Sequence, residues 1–268
     1  MEIWVPGTVT SLVQPAFAFA IDRGLRVAVG PAWYEWEVAH DDPTLPHDES
    51  NLIVAVAQSV VPGLEPHQLT VTSSLPTGMG LGSSLAATLA GVSLASALGA
   101  APLAEHDLIA QTAFFEPDEL AIRTALLGGG RQLTASGVAP LDITGLQGAV
   151  YLPTQVPAVA VPARPTVAPP AIADLLDAMQ AGDGGWLRAH FPLEAQVTPS
   201  YYPHAEMVSR AVLATGGFTC FAAGNGPALI CLAKATVPDF LLRLREQLTA
   251  GTVLPLTVSA QGLSVTTD

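Results

Sequence analysis

The chain alternates short apolar blocks with breaks marked by glycine and proline. Residues 2–5 and about 25–38 read as strands bounded by such breaks. Residues 40–50, HDDPTLPHDES, are polar and proline-punctuated, which predicts a loop. Apolar positions then recur at helical spacing over 51–60, with Asp48 or Ser50 as the expected N-cap. Leu69–Ser73 alternates as a strand, and 85–98 is a run of small and apolar residues that reads as a buried helix. Helices are predicted over 103–115 and from Pro117 to a stop at Gly128-Gly129-Gly130. Residues 148–168, rich in Val and Pro, read as a strand and then a connector. Helices follow at 170–180, 184–191 and 203–215. Strands at 218–222 and 228–233 flank the turn Gly224-Asn225-Gly226-Pro227, and a helix at 237–249 and a strand at 254–259 complete the pattern. The mixture predicts an α/β (α+β) chain, with a domain boundary expected between 147 and 148.

Between the strand at 69–73 and the helix at 85–98 lies Pro76-Thr77-Gly78-Met79-Gly80-Leu81-Gly82-Ser83-Ser84. Phosphate oxygens can be held by several converging backbone N–H groups, provided that no Cβ atoms stand in the way. Gly78, Gly80 and Gly82 meet that condition. A helix starting near Ser83 adds unpaired N–H groups and the positive end of its dipole. Ser83 and Ser84 can donate to phosphate, and one of them can face a magnesium ion. A glycine turn that merely packs a helix on a sheet is the plainer alternative, but strand, loop and helix in this order suit a phosphate site. A branched side chain at Gly82 is expected to fill that site and spare the fold. The loop lacks the Gly-Lys-Ser/Thr ending of a Walker A motif.

Charge adds exclusions. Asp and Glu number 23 against 10 Lys and Arg, a net charge of −13, which repels nucleic acid and anionic lipid. Lys234 is the lone lysine, so a lysine mechanism has one candidate. Cys220 and Cys231 sit in apolar runs and read as small buried hydrophobes. The start of the chain has no signal-peptide pattern, and no run of eighteen apolar residues occurs, so a cytoplasmic location is expected.

PTGMGLGSSLAA (76–87) resembles the second conserved motif of the GHMP kinases, most of all its homoserine kinase form. HDESNLIV (47–54) is similar to the family's Asp-x-x-Asn-Leu segment. FFEPDELAIRTALLGGG (114–130) resembles Glu-Gly-His-Pro-Asp-Asn followed by a helix and Leu-Gly-Gly. FAAGNGPALICL (221–232) resembles the third motif. The resemblance runs in order over most of the chain. It implies a ribosomal-protein-S5-like N-terminal domain (1–147), a ferredoxin-like C-terminal domain (148–268) and an ATP site between them. It also implies a magnesium site, for which Ser84 and, as the nearest carboxylate, Glu116 are the candidates; the same two are the catalytic candidates. The small-molecule acceptor would be an amino-acid-like alcohol, L-homoserine first and L-threonine second. Thr10 and Gln14 of the first motif and Asn225 of the third are the candidates for touching it. Oligomeric state stays open, a homodimer included.

The chain also departs from the family. Its first motif, Pro6-Gly7-Thr8-Val9-Thr10-Ser11-Leu12-Val13-Gln14, lacks Asn-Leu-Gly and is partly similar to the L-threonine kinase variant. Alignment on Pro117-Asp118 puts Phe114 where the family carries its metal-binding glutamate, with Glu116 two residues on. Glu116, Asp118 and Glu119 could equally dress a helix start. Residues 192–202 lack the arginine that homoserine kinases carry for the substrate carboxylate; Arg164 and Thr166 lie near another family segment, at different spacing. A fold that keeps nucleotide but has lost its chemistry is the rival reading.

Overall fold

The computed structural model describes residues 1–11, 17–99, 101–154, 172–190 and 202–267. β1 (Glu2–Thr10) runs antiparallel to β2 (Phe17–Ala32), with an irregularity at Pro6/Gly7. β2 continues to two partners in turn. Its far half pairs with β4 (His67–Ser73), beside which β3 (Glu37–Ala39) lies parallel. Its first residues pair with β5 (Gly130–Thr134), which forms a hairpin with β6 (Gly137–Leu141). The last strand, β11 (Ser264–Thr266), returns to the free edge of β1. Among the described residues this is a seven-stranded sheet.

Two differences from the pattern reading have physical causes. β2 begins at Phe17, well before the expected start near 25, because Phe17–Ile21 are all buried and show no alternation. The β5–β6 hairpin was not foreseen, because its strands are short and mostly half-exposed, and β6 carries Pro140, which suits only a sheet edge.

α1 (Leu52–Val60) and α3 (Glu105–Phe115) flank α2 (Ser83–Leu98), which packs with α4 (Glu119–Leu127) on β1 and β2. The N-cap of α1 is Asn51, not Asp48 or Ser50. Its side chain accepts from the Ile53 N–H at 3.1 Å and donates to the Pro46 carbonyl at 2.8 Å. Asp48 and Ser50 instead close a turn on each other, which holds the Asp48 carboxyl below its ordinary range. α2 is buried on nearly all sides, as its sequence implies. Its buried Ser93 hydroxyl satisfies itself on the Leu89 carbonyl at 2.7 Å.

The second sheet is built from β7 (Leu146–Pro153), β8 (Thr219–Ala222), β9 (Leu229–Lys234) and β10 (Gly251–Leu256), in the order β10-β7-β9-β8, all antiparallel. α5 (Ile172–Ala181), α6 (Gly184–His190) and α7 (Ala205–Ala214) follow β7, and α8 (Phe240–Gln247) follows β9. This is the split β-α-β arrangement. Alternation divides its side chains between two cores. Tyr151, Cys220, Cys231 and Val253 pack with Val208 and Val212 of α7 and Phe240 and Leu244 of α8. Val150, Phe221, Ile230 and Leu232 face the core shared with the first sheet. There Phe221 meets Phe17 edge-on, with centroids 5.1 Å apart. Cys220 and Cys231 are buried register partners; burial pushes the Cys231 thiol well above its ordinary range, so it serves as a small hydrophobe. No helix among the described residues is long and apolar enough to cross a membrane.

Candidate active site

The glycine loop is seated from two sides by main chain. On one side is the end of β1: the Thr8 N–H donates to the Leu81 carbonyl at 3.1 Å, and Leu81 is buried beneath it. On the other is the β8–β9 turn: the Ala228 N–H donates to the Met79 carbonyl at 3.3 Å. The turn is also tied to β1, by the Gly224 N–H on the Thr10 carbonyl at 2.8 Å and by a bridge between Ser11 and Ala223. The chain approaches itself so closely here that only glycine fits. A Cβ on Gly80, at φ +83°, would lie 1.9 Å from the Ala223 carbonyl oxygen, and one on Gly226 would lie 2.1 Å from the Gly80 nitrogen.

Gly82 caps α2 in the left-handed region with no side-chain hydrogen bond, and the first turn carries no acidic residue. The leading N–H groups of α2 thus keep their capacity for an anion. A Cβ on Gly82 would meet Thr8, 2.5 Å from Oγ1 and 2.8 Å from N. The expectation that a side chain there fills the phosphate site and spares the fold is corrected: it would break the seat on β1. Gly78 differs, since it is exposed, lines the cleft and has nothing within 4 Å of an added Cβ.

The cleft beside this loop encloses about 1320 Å³. Its lining includes the apolar side chains Leu25, Leu45, Ile53, Val71 and Leu75. It also includes Thr8, Thr10, Ser11 and Asn225, together with Ser84, Glu116, Asp118 and Glu119. Ser84 stands in the first turn of α2, and Glu116 caps the end of α3. The Ser84 hydroxyl donates to Glu116 Oε1 at 2.5 Å, although 32 positions separate them. Phe114, at the family's glutamate position by alignment, is 82% exposed and outside the cleft lining. Asp118 is engaged as the N-cap of α4, accepting from the Ala121 N–H at 3.1 Å, and Glu119 pairs with Arg123 at 2.8 Å. No lysine or arginine lies among the described residues of the lining.

Of the other residues singled out in the sequence, Pro76 is half-buried, Leu81 is buried with its carbonyl held by Thr8, Ser83 lines the cleft beside Ser84, and Thr10 of β1 and Asn225 of the β8–β9 turn line it as well. Gln14, Arg164, Thr166 and residues 192–201 lie outside the described residues. Tyr202, the last residue of the segment compared with the family's arginine segment, reaches the same turn: its hydroxyl donates to the Gly226 carbonyl at 2.8 Å.

Residues 51–126 match the family described as the GHMP kinases N terminal domain. Homoserine kinase of Limosilactobacillus fermentum is 32% identical to this chain over 99% of its length and 100% of the relative's. Homoserine kinase of Leuconostoc citreum is 29% identical over 100% and 99%. Among solved structures, a putative homoserine kinase from Listeria monocytogenes superposes with a TM-score of 0.77 at 22% identity, covering 100% of this chain and 99% of that one. At that identity the likeness speaks for the fold alone. The two-sheet architecture is thus the one expected from the motifs. By its relatives, its ordered motifs and its fold, the chain belongs to the homoserine kinase branch of the GHMP kinases and is an ATP-dependent phosphotransferase.

Proposed function

We propose that the protein transfers the γ-phosphoryl group of ATP to the hydroxyl of L-homoserine in the cytoplasm. The observation that carries the proposal is the Ser84–Glu116 hydrogen bond beside the glycine loop. A hydroxyl and a carboxylate held at the N-terminus of a helix suit a small, hard cation that also takes phosphate oxygens. Ser84 and Glu116 fit Mg²⁺ by their donor chemistry, and they would hold it there; bound, it neutralises charge on the transferred phosphoryl group. The main chain of residues 78–84 would hold the phosphates, and apolar side chains of the cleft lining would pack on adenine. Thr8, Thr10, Ser11 and Asn225 orient the acceptor by hydrogen bonding. Phosphoryl transfer through a loose transition state depends on alignment and charge stabilisation more than on a strong base. The absence of lysine from the described cleft lining is compatible with that chemistry.

The same pair favours an active enzyme over a nucleotide binder that has lost its chemistry. Phe114 does not take the place of the metal carboxylate; Glu116 comes to Ser84 from the end of the same helix.

The direct test is ATP consumption with Mg²⁺ and, in turn, homoserine, threonine, pantoate and small sugars. Turnover highest with homoserine is the expected result. A preference for threonine would correct the acceptor. Turnover with none, despite tight ATP binding, would establish the degenerate reading. Ser84→Ala is expected to lower turnover about tenfold or more, as for loss of a group that acts mainly in the transition state, with ATP affinity nearly unchanged. Single-turnover phosphoryl transfer at the wild-type rate in Ser84→Ala would remove Ser84 from the chemistry.

A further inference from the structure

Tyr202 closes the segment 192–202, where homoserine kinases carry an arginine for the substrate carboxylate, and its hydroxyl ends on the β8–β9 turn that seats the glycine loop. It precedes α7, and its carbonyl accepts from the Ala205 N–H at 3.0 Å, which ties it to the start of that helix. Its ring, 3% exposed, packs in the core formed by α7, α8 and the second sheet. The tip of this anchored ring donates to the Gly226 carbonyl at 2.8 Å, in a buried position.

Gly226 has no freedom on its other side. Its backbone is pressed on Met79 and Gly80, where an added Cβ would lie 2.1 Å from the Met79 carbonyl carbon. The neighbouring Ala228 N–H holds the Met79 carbonyl. A displacement of Gly226 is therefore passed to Met79 and Gly80 by direct contact of main chain with main chain. Tyr202 is the fixed end of that series, Gly226 the link, and the glycine loop the moving end. A phenolic hydroxyl on a rigid ring suits the task, because the ring is held by packing and only two side-chain torsions need fixing. Loss of the hydroxyl leaves the Gly226 carbonyl buried without this donor, and the turn must shift to find another.

We infer that Tyr202 is a positioning residue for the phosphate-binding loop, acting through the Gly226 carbonyl from the core of the second sheet. The inference rests on the proposed reading of residues 78–84 as the phosphate site, and it adds a residue that never touches nucleotide.

The test compares wild type, Tyr202→Phe, Tyr202→Leu and, as a control in the same core, Val208→Ala. ATP affinity by calorimetry, kcat, KM for the acceptor and Tm are measured for each. In Tyr202→Phe, ATP affinity is expected to fall about fivefold and kcat about fivefold, as for one lost buried hydrogen bond, with acceptor KM held. Val208→Ala is expected to lower Tm at least as much and to leave ATP affinity and kcat near wild type at a temperature where all variants are folded. Equal ATP affinity and kcat in Tyr202→Phe and wild type would overturn the inference. So would losses in Val208→Ala that match those in Tyr202→Phe. If Tyr202→Phe does not fold, Tyr202→Leu is read by the same criteria, and failure of both to fold while Val208→Ala folds would make Tyr202 a residue of stability and overturn its positioning role. Failure of wild type to bind ATP would overturn the proposed function instead, and is seen before any variant is compared.

Discussion

Gly78→Asp is expected to weaken ATP binding by about a hundredfold or more, ~2.8 kcal/mol, in a protein that stays folded. Gly78 sits at φ +74°, and aspartate is among the few residues that enter that region at modest strain. An added Cβ there meets nothing within 4 Å, so the side chain enters the open cleft without displacing the loop. The carboxylate then faces the space assigned to the phosphates. Two unit charges about 4 Å apart at an effective dielectric near 20 repel by roughly 4 kcal/mol, enough for the loss expected. Gly78→Asn carries the same backbone strain and nearly the same shape without the charge, and should lose much less. Calorimetry on the three proteins separates the effects. Equal ATP affinity in Gly78→Asp and wild type would mean that the loop does not hold phosphate. Gly80→Ala would be a poor substitute for this test, because its Cβ would strike the Ala223 carbonyl.

Glu116→Gln should lower kcat by about a hundredfold, on the scale of other losses of a single charge-stabilising group. The substitution keeps the shape and the ability to accept from Ser84, and removes only the negative charge. Glu116 is half-buried at the end of α3, and nothing else in the fold depends on its charge among its described contacts. ATP affinity without magnesium should stay close to wild type, and the magnesium concentration for half-maximal turnover should rise. Wild-type kcat in Glu116→Gln would assign the metal to another carboxylate. Asp118 and Glu119 are the neighbours, and both already have partners in Ala121 and Arg123.

Much of the fold was legible because each element carried its own signal. α2 announced itself by a run of small apolar residues opened by Gly82-Ser83-Ser84, and it is buried on nearly all sides. The β8–β9 turn announced itself by Asn-Gly between apolar strands. Elements that depend on distant partners were less legible. The first half of β2 is covered on both faces and shows no period, and β11 is a three-residue strand that has meaning only beside β1. The Ser84–Glu116 pairing was an expectation of the family resemblance alone: alignment on Pro117-Asp118 put Phe114 at the glutamate position, and the residues themselves allowed Glu116 equally to dress a helix start. Tyr202 was not legible, because its role lies in one hydroxyl reaching a carbonyl 24 residues away, and the segment was read for an arginine that it lacks.

The seating of the glycine loop between Thr8 and the β8–β9 turn also bears on how the chain becomes active. The contacts that place Met79 and Leu81 tie the glycine loop to the first strand of one sheet and to the β8–β9 turn of the other. Such long-range closures form late, after local helices and hairpins. As the chain leaves the ribosome, the loop emerges with α1 and α2 and waits for residues 223–228 before it is fixed. On the proposed reading of residues 78–84, a chain that stops before residue 223 is expected to carry the glycine sequence without the seat that the β8–β9 turn gives it. In the finished protein the linkage runs the other way: on that reading, nucleotide that binds only the seated loop is expected to stabilise the contacts between the two sheets as its concentration rises.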